Sequence, residues 1–304
     1  MLFRSARRTE FTAAGAVIAQ YRYSYDLAGR LAVEGASSPG PATLPGVFTG
    51  STNNENWLTN VSIDGAAIPV AHDADGNLTQ GPLNGQASPF AWDAAGRLRT
   101  TQSTSYAYDA EDRLLRFTRA GQTTTIAWNP APRLAQVVQT LGPGGRTRYV
   151  HGIGLLYSEQ NGNILVHHFD ERGSAIAFSG GNGGVAGRVT YSPYGRILLR
   201  EGATNSLFLF HGLFGVITSP DELIWMRSRW YHPELRRFLS EDARFGDITQ
   251  PDSLNRYAFL GGAPALRVDP DGEFWWVAVG AAVGAVANVA VQVASDRSEE
   301  RRVG

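Results

Sequence analysis

A short motif recurs through the first half of the chain: two aromatic residues one position apart, then Asp, two variable residues, Gly, Arg and Leu. Its acidic position falls at Asp73, Asp93 and Asp109, and as an amide at Asn129, so successive copies lie 20, 16 and 20 residues apart. Self-similarity at such a period indicates one supersecondary unit used repeatedly. The residues that define the repeat are Tyr23, Tyr25, Asp26, Gly29, Arg30, Asp73, Gly76, Trp92, Asp93, Gly96, Arg97, Tyr106, Tyr108, Asp109 and Arg113.

Each unit predicts a β-hairpin. The two aromatic side chains share one face because side chains alternate along a strand. The Asp then accepts hydrogen bonds from backbone N–H groups just ahead of it, and the Gly supplies the positive φ of a tight reversal. On the return strand, the Leu faces inward and the Arg faces outward or reaches back to the Asp. A hairpin of this size is not stable alone, so its aromatic face must be buried against its neighbours.

Composition supports a β-rich chain and excludes several functions. The 304 residues contain 35 Gly and 15 Pro but only two Met, which favours short strands and many turns. The formal net charge is −1, and no basic stripe is visible, so we predict no nucleic-acid partner. The absence of Cys excludes disulfides and thiolate metal sites. We predict no cofactor and no metal, since His167 and His168 would point to opposite faces of a strand.

Local signals place further turns and strands. The dipeptide Asp64-Gly65 predicts a tight hairpin turn. Residues 142–145, Gly-Pro-Gly-Gly, predict a break that is a candidate boundary between the repeats and a following domain. Strands are predicted at residues 164–169, 175–178, 189–191 and 207–210.

The second half of the chain carries longer and more specific signatures. They are His168-Phe-Asp170 with Gly173-Ser174, Tyr191-Ser-Pro-Tyr-Gly-Arg196, the run from Arg229 to Asp242, Asn255-Arg-Tyr257, and Val268-Asp-Pro-Asp-Gly272. Together with the repeats, these segments resemble the YD repeats and the repeat-associated core domain of bacterial Rhs proteins. That family is related to teneurins and to the C subunits of insecticidal toxin complexes. The resemblance runs from Tyr21 to Gly272.

The resemblance implies an all-β fold of stacked antiparallel β-hairpins. These would form a curved YD-repeat sheet, a partial shell, with an end-capping core domain and a C-terminal apolar helix. The expected divisions are a tail at 1–20, YD repeats at 21–141, the core domain at 146–273, the apolar helix at 274–295 and a charged tail at 296–304. The tail at 1–20 makes no convincing signal peptide.

The apolar segment leaves two interpretations open. Residues 274–294 contain only Asn288 and Gln292 as polar members, and Gly280 and Gly284 form a G-x-x-x-G pattern. A helix of this length would match the thickness of a bilayer core, which suggests membrane contact. The alternative is a helix of small residues packed against the β-shell.

Two aspartates are the candidate catalytic residues. In Rhs proteins resembling this one, a pair of aspartates near the end of the core forms a self-cleaving, aspartic-protease-like site, and the resemblance places them at Asp242 and Asp269, with Arg267 beside them. Two carboxylates that share a proton can divide the roles of base and acid. The bond cut would follow Glu273, where cleaving relatives usually carry Leu.

Other positions also depart from the family pattern. Ala243 stands where relatives carry Pro, and His232 stands where they carry Asp. The alternative interpretation is that Asp242 and Asp269 only cap turns that close the core. Enzymatic activity is therefore an open question, and we favour its absence.

The leading functional prediction is structural. The chain would form the wall and cap of a secreted Rhs-type polymorphic toxin, around a C-terminal effector that it does not itself carry. Expected partners are that toxin domain, upstream repeats, an immunity protein and a secretion apparatus, and the expected location is secreted or at the cell surface. The alternatives are a self-cleaving core and a cell-surface adhesin module that binds glycans, the latter favoured if Trp57, Trp92 or Trp128 were exposed.

Overall fold

A computed structural model of the chain describes residues 48–132, 134–152, 154–170, 172–202, 204–243, 254–262, 264, 269 and 272 in full. For residues 4–11, 17–25, 31–37, 267–268 and 276–277 it describes the backbone only.

The described residues form strands joined by short turns. The strands are β1 Arg4–Phe11, β2 Val17–Tyr25, β3 Leu31–Ser37, β4 Phe48–Thr52, β5 Leu58–Ile63, β6 Ala66–Ile68, β7 Ala71–His72, β8 Leu78–Leu83, β9 Gln86–Pro89, β10 Ala91–Trp92, β11 Leu98–Thr100, β12 Thr104–Tyr108, β13 Leu114–Arg119, β14 Gln122–Asn129, β15 Gln136–Gly142, β16 Gly145–His151, β17 Leu155–Gln160, β18 Asn163–Phe169, β19 Ala175–Gly180, β20 Val185–Tyr191, β21 Ile197–Gly202, β22 Ile217–Thr218, β23 Ile224–Met226, β24 Arg229–His232, β25 Arg237–Phe238, β26 Arg267–Val268 and β27 Trp276–Val277. Within the described residues, 3-10 turns lie at Gly212–Phe214 and Leu260–Gly262.

Strands that are consecutive in sequence are neighbours in the sheets. Strands β10 to β21 form a twelve-stranded sheet in chain order, and every pairing is antiparallel. Three-stranded sheets contain β1–β3, β4–β6 and β7–β9, while β22–β25 form a four-stranded sheet and β26 pairs with β27. The predicted all-β architecture of stacked hairpins is confirmed.

The turn of the repeat has the predicted chemistry. In the turn at Asp93, the carboxylate Oδ1 accepts hydrogen bonds from the backbone N–H groups of Ala95 and Arg97, both at 3.0 Å. Its Oδ2 accepts one from the guanidinium of Arg97 at 2.9 Å. Although partial burial raises the pKa of Asp93, the hydrogen bonds from Arg97 and Ala95 outweigh it and leave that pKa below its usual value. The same scheme recurs at Asp109.

One repeat places a bulkier residue at the left-handed position. Asp112 has φ 61° where Gly96 has φ 71° in the preceding repeat. Its carboxylate pairs with Arg97 Nη1 at 2.7 Å, so the residue that replaces Gly joins two successive turns. The predicted turn at Asp64-Gly65 is also confirmed, with φ values of 51° and 81°.

In the repeats at Asp93 and Asp109, the two aromatic residues have different roles. The first is buried on the inner face of the sheet: Phe90 and Tyr106 are each 2% exposed. The second is half-buried and donates a hydrogen bond to a backbone carbonyl of the preceding repeat. Trp92 Nε1 lies 2.8 Å from Leu78 O, and Tyr108 Oη lies 2.7 Å from Leu98 O. Equivalent contacts are Trp128 to Leu114, His151 to Val137 and Tyr191 to Ala175.

Residues 206–243 and 254–262, here called the inner segment, pack against that inner face. Ring centroids of Tyr106 and Trp230 lie 4.5 Å apart, and those of Tyr149 and Phe208 lie 4.9 Å apart. The backbone N–H of Leu78 also donates to the carbonyl of Leu239 at 2.8 Å. The inner segment and the sheet therefore bury apolar surface against each other, and this burial stabilises their packing.

The structure corrects the strand predicted at 207–210 and the helix predicted to start at 274, while the domain boundary near 142–145 stays a prediction. Residues 208–210 are buried and Leu207 is half-buried, but residues 207–210 are not a strand. Residues 142–145 form a hairpin turn within the twelve-stranded sheet, where Gly142 pairs with Gly145, so the sheet continues through the candidate boundary. Within the predicted apolar helix, Trp276–Val277 is a strand paired with Arg267–Val268. The remainder of 274–304 lies outside the described residues, as do Asp26, Gly29 and Arg30 of the first repeat.

None of the helical turns in the described part of the chain has the length and apolar character needed to cross a membrane.

We expect Asp93→Ala to lower the free energy of unfolding by about 2 kcal/mol, because two backbone N–H groups and one guanidinium lose their acceptor. Urea denaturation of the purified chain measures the change. The matched control is Asp75→Ala, an exposed turn residue of the preceding repeat, for which we expect a change within about 0.5 kcal/mol. Equal losses in the two variants would contradict the role given to the turn carboxylate.

Candidate functional site

The first predicted aspartate, Asp242, lies shortly after the end of β25. Its carboxylate Oδ2 lies 2.7 Å from Nη2 of Arg229, and the side chains are 16% and 8% exposed. Its backbone is held as well: the N–H of Asp242 donates to the carbonyl of Arg256 at 3.0 Å, and the guanidinium of Arg256 donates back to the carbonyl of Asp242 at 2.9 Å. Asp242 is thus fixed by both its main chain and its side chain.

The second predicted aspartate, Asp269, closes a turn. It is 3% exposed, and its Oδ1 accepts a hydrogen bond from the backbone N–H of Gly272 at 2.8 Å. Gly272 has φ 75°, and a Cβ there would lie 2.5 Å from the carbonyl oxygen of Met226 and 2.8 Å from Oγ of Ser228. Only glycine fits this close approach, which explains the Asp-Pro-Asp-Gly sequence.

Arg229 joins the two aspartates. Its Nε donates to the carbonyl of Gly272 at 2.5 Å, its Nη1 donates to the carbonyl of Arg256 at 3.0 Å, and its Nη2 pairs with Asp242. The guanidinium carbon also lies 3.7 Å from the ring centroid of Phe238, a cation–π contact. The connection therefore runs from Asp242 through Arg229 and Gly272 to Asp269.

Not every predicted member of the site can be placed. Arg267 lies in β26, but its side chain is outside the described residues, and so is Glu273. The guanidinium that the structure brings to Asp242 is that of Arg229. The sequence contains Arg229 inside a family signature, but nothing in the pattern shows that its side chain reaches Gly272, which is 43 residues away.

The residue before Asp242 ties the site to the repeats. Oε1 of Glu241 accepts hydrogen bonds from Nε1 of Trp57 at 3.1 Å and from the hydroxyl of Tyr257 at 3.3 Å. The hydroxyl of Tyr257 lies 2.7 Å from the carbonyl of Gly76. Trp57 is half-buried and stacks on His72 with ring centroids 5.5 Å apart. Trp57 therefore serves packing, and the same holds for Trp92 and Trp128, whose indoles bond to backbone carbonyls.

The buried carboxylate of Asp221, which the sequence analysis did not single out, attaches the inner segment to the repeats. Asp221 is 1% exposed and accepts hydrogen bonds from Thr101 Oγ1 at 2.5 Å, Ser103 Oγ at 2.6 Å and Tyr106 Oη at 3.3 Å. Burial, and then the charge of Asp221, raise the pKa of Tyr106 well above its usual value. An isolated Asp in a Ser-Pro-Asp turn gives no signal of partners 115 to 120 residues away.

A cavity of about 820 Å³ opens on the inner face near the turns at 142–145 and 161–163. Its walls include Thr124, Thr140, Tyr149, Ser158 and Gln160. Among the described residues that line it, none is charged. The cavity is therefore an uncharged surface of hydroxyl, amide, glycine and apolar groups beside the inner segment.

The cluster at Asp242 and Asp269 offers two carboxylates, one guanidinium and a fixed peptide group. A carboxylate can act as a base toward water, and a buried carboxyl can donate a proton, which are the two roles that peptide hydrolysis requires. The same contacts also suffice to hold the end of the inner segment in place. Among the described residues, no group of three or more His, Asp or Glu could hold a metal ion.

Comparison with known proteins agrees with this architecture. The tRNA3(Ser)-specific nuclease WapA of Bacillus spizizenii is 27% identical over 132 residues, which is 43% of this chain and 6% of that protein. The tRNA nuclease WapA of Bacillus subtilis is 27% identical over 120 residues, 39% of this chain and 5% of that protein. The chain thus spans only a small part of these relatives.

Solved toxin-complex structures share the fold. A TcdB2–TccC3 crystal structure superposes with a TM-score of 0.54 at 15% identity, covering 88% of this chain and 19% of that one. The Tc holotoxin pore of Photorhabdus luminescens gives a TM-score of 0.50 at 16% identity, covering 91% and 18%. The family model described as teneurin YD-shell matches residues 63–265. With two thirds of its length matched, from the hairpin at Ile63 to the end of the inner segment, the chain belongs to the teneurin YD-shell family.

Proposed function

We propose that the chain is a structural part of a secreted toxin shell, forming a stretch of wall and the cap that closes it. The observation that carries this proposal is the inner segment, which packs on one face of the twelve-stranded sheet and leaves an uncharged cavity of about 820 Å³ beside it. The similarity to Tc toxin structures supports the fold on which the proposal rests.

The cargo of such a shell would be a polypeptide attached downstream of the chain, and upstream repeats would complete the wall. An uncharged lining suits this purpose because it offers hydrogen bonds without selecting one charge pattern. In a secreted toxin an immunity protein and a secretion apparatus would be further partners, and the chain would act outside the cell that makes it. The adhesin alternative is weaker, because the half-buried tryptophans are committed to internal hydrogen bonds.

Site-specific photo-crosslinking tests the shell function. An unfolded peptide is fused after residue 304, and a crosslinking side chain replaces Gln160, which lines the cavity, or Glu159, its neighbour on the opposite face of β17, which pairs with Arg148. We expect intramolecular crosslinks to the peptide from position 160 and a background signal from position 159. Equal crosslinking from both positions would contradict the proposal.

A second function is favoured by one observation: Arg229 and Gly272 connect Asp242 with Asp269 next to the predicted cleavage position. In this function the core cuts its own chain after Glu273 and releases the downstream polypeptide. Arg229 would hold the peptide group of Gly272 while the two aspartates share the work of base and acid.

Self-cleavage predicts two fragments of the purified chain on a denaturing gel, with a break between residues 273 and 274 confirmed by mass spectrometry. Asp242→Asn and Asp269→Asn should each abolish the break because either change removes one carboxylate. The control Asp75→Asn should leave it unchanged. A chain that stays intact over days would eliminate the second function and leave the structural one in place.

A further inference from the structure

His232 occupies the contact between the inner segment and the repeats. It ends β24 and is 2% exposed. Its Nε2 lies 2.6 Å from the carbonyl oxygen of Pro82 in β8, and its Nδ1 lies 3.3 Å from the backbone nitrogen of Leu235. The ring of Phe90 packs edge-on, with centroids 6.5 Å apart. One imidazole therefore joins two parts of the chain that are 150 residues apart in sequence.

These two contacts require a neutral imidazole. A carbonyl oxygen can only accept, so Nε2 must carry the proton; a backbone N–H can only donate, so Nδ1 must be bare. A second proton on Nδ1 would face the N–H of Leu235 and break that contact. Burial lowers the pKa of His232 to about 4, against the opposing effect of the Pro82 hydrogen bond.

The charged groups around His232 give limited compensation for a second proton. A cavity of about 370 Å³ beside the ring is lined by Arg196 and by four carboxylates, those of Asp64, Asp221, Glu222 and Glu234. Burial raises the pKa of Glu222 and of Glu234, so these two become neutral at a higher pH than ordinary glutamates. Asp221 is already engaged by three hydroxyl groups. On the other side of the ring lies apolar Phe90.

His211 is a second buried imidazole in the inner segment. It is fully buried, and within the described structure neither ring nitrogen has a hydrogen-bond partner. Its ring stacks on Phe210 with centroids 4.2 Å apart. The charged groups near it are Arg172 and the carboxylate of Asp170 with which Arg172 pairs at 3.3 Å. Burial and the Arg172 charge lower the pKa of His211 to about 3.

We propose that His232 and His211 form an acid-sensitive latch: protonation of these two buried rings loosens the inner segment from the sheet. This goes beyond the shell function, because it gives the wall a condition under which its cap opens. The cap would stay firmly packed on the sheet at neutral pH and would detach in an acidified compartment.

The direction of the effect is set by linkage. Both histidines have a folded-state pKa below the unfolded value of about 6.5, so their contribution is fully present above that pH and is lost as the pH falls through the window toward 4. For His232 alone, the shift corresponds to about a 100-fold rise in the opening equilibrium between pH 7 and pH 4.

Hydrogen exchange of the full chain, corrected for the intrinsic pH dependence of exchange, tests the latch at the amides of residues 224–238. His232→Gln keeps one donor and one acceptor in a side chain that does not titrate. Between pH 7 and pH 4, we expect the opening equilibrium of this variant to rise about 100-fold less than that of the unmodified chain. His168→Gln, at an exposed histidine that bonds to Ser179, is the control and should behave as the unmodified chain.

An unchanged pH response in His232→Gln would overturn the proposal, and so would an opening equilibrium that does not rise on acidification. If His232→Gln fails to fold, His211→Phe is the second variant to be measured. That change replaces a ring without hydrogen-bond partners by an apolar one, so the acid-induced rise in the opening equilibrium should be smaller than in the unmodified chain. An unchanged rise would count against the latch.

Discussion

The structure depends on one constraint: the inner face of the repeat sheet is aromatic and cannot be left in water. Each hairpin contributes a buried ring such as Phe90 or Tyr106, and no hairpin can bury its own ring. Neighbouring repeats cover only part of this surface. The inner segment covers the remaining aromatic surface with Phe208, Trp225 and Trp230, so the sheet and the inner segment share one hydrophobic core.

Polar contacts then fix how the two parts meet. At Trp92, Tyr108 and Trp128, the second aromatic side chain of the repeat donates a hydrogen bond to a backbone carbonyl of the preceding repeat, and these contacts hold successive hairpins together. Across the interface, Asp221 accepts hydrogen bonds from three hydroxyl groups on the hairpin of β11 and β12. The imidazole of His232 contacts the carbonyl of Pro82. Because such buried contacts are costly to leave unmade, they specify one position for the inner segment. Asp242, Arg229 and Gly272 are placed at its end by the same packing.

Local chemistry was predictable from the sequence, and long-range chemistry was not. The Asp-x-x-Gly turn, the ion pair from Arg97 back to Asp93 and the inward Leu98 all result from rules that act over five residues. The partners of Asp221 lie 115 to 120 residues away, and the Gly272 carbonyl that Arg229 contacts lies 43 residues away. Neither set of partners is indicated by the sequence around these two residues. The strand predicted at 207–210 was wrong because an apolar run also suits a buried irregular segment that packs on a sheet.

Native-state hydrogen exchange at neutral pH tests most directly whether sheet and inner segment are one cooperative unit. Amides in β12–β15 and in β23–β25 should exchange with the same free energy of opening, within about 1 kcal/mol, and should respond alike to added denaturant. Protection of β12–β15 that persists after β23–β25 have opened would contradict the account, since the sheet would then be stable without the segment that covers its aromatic face.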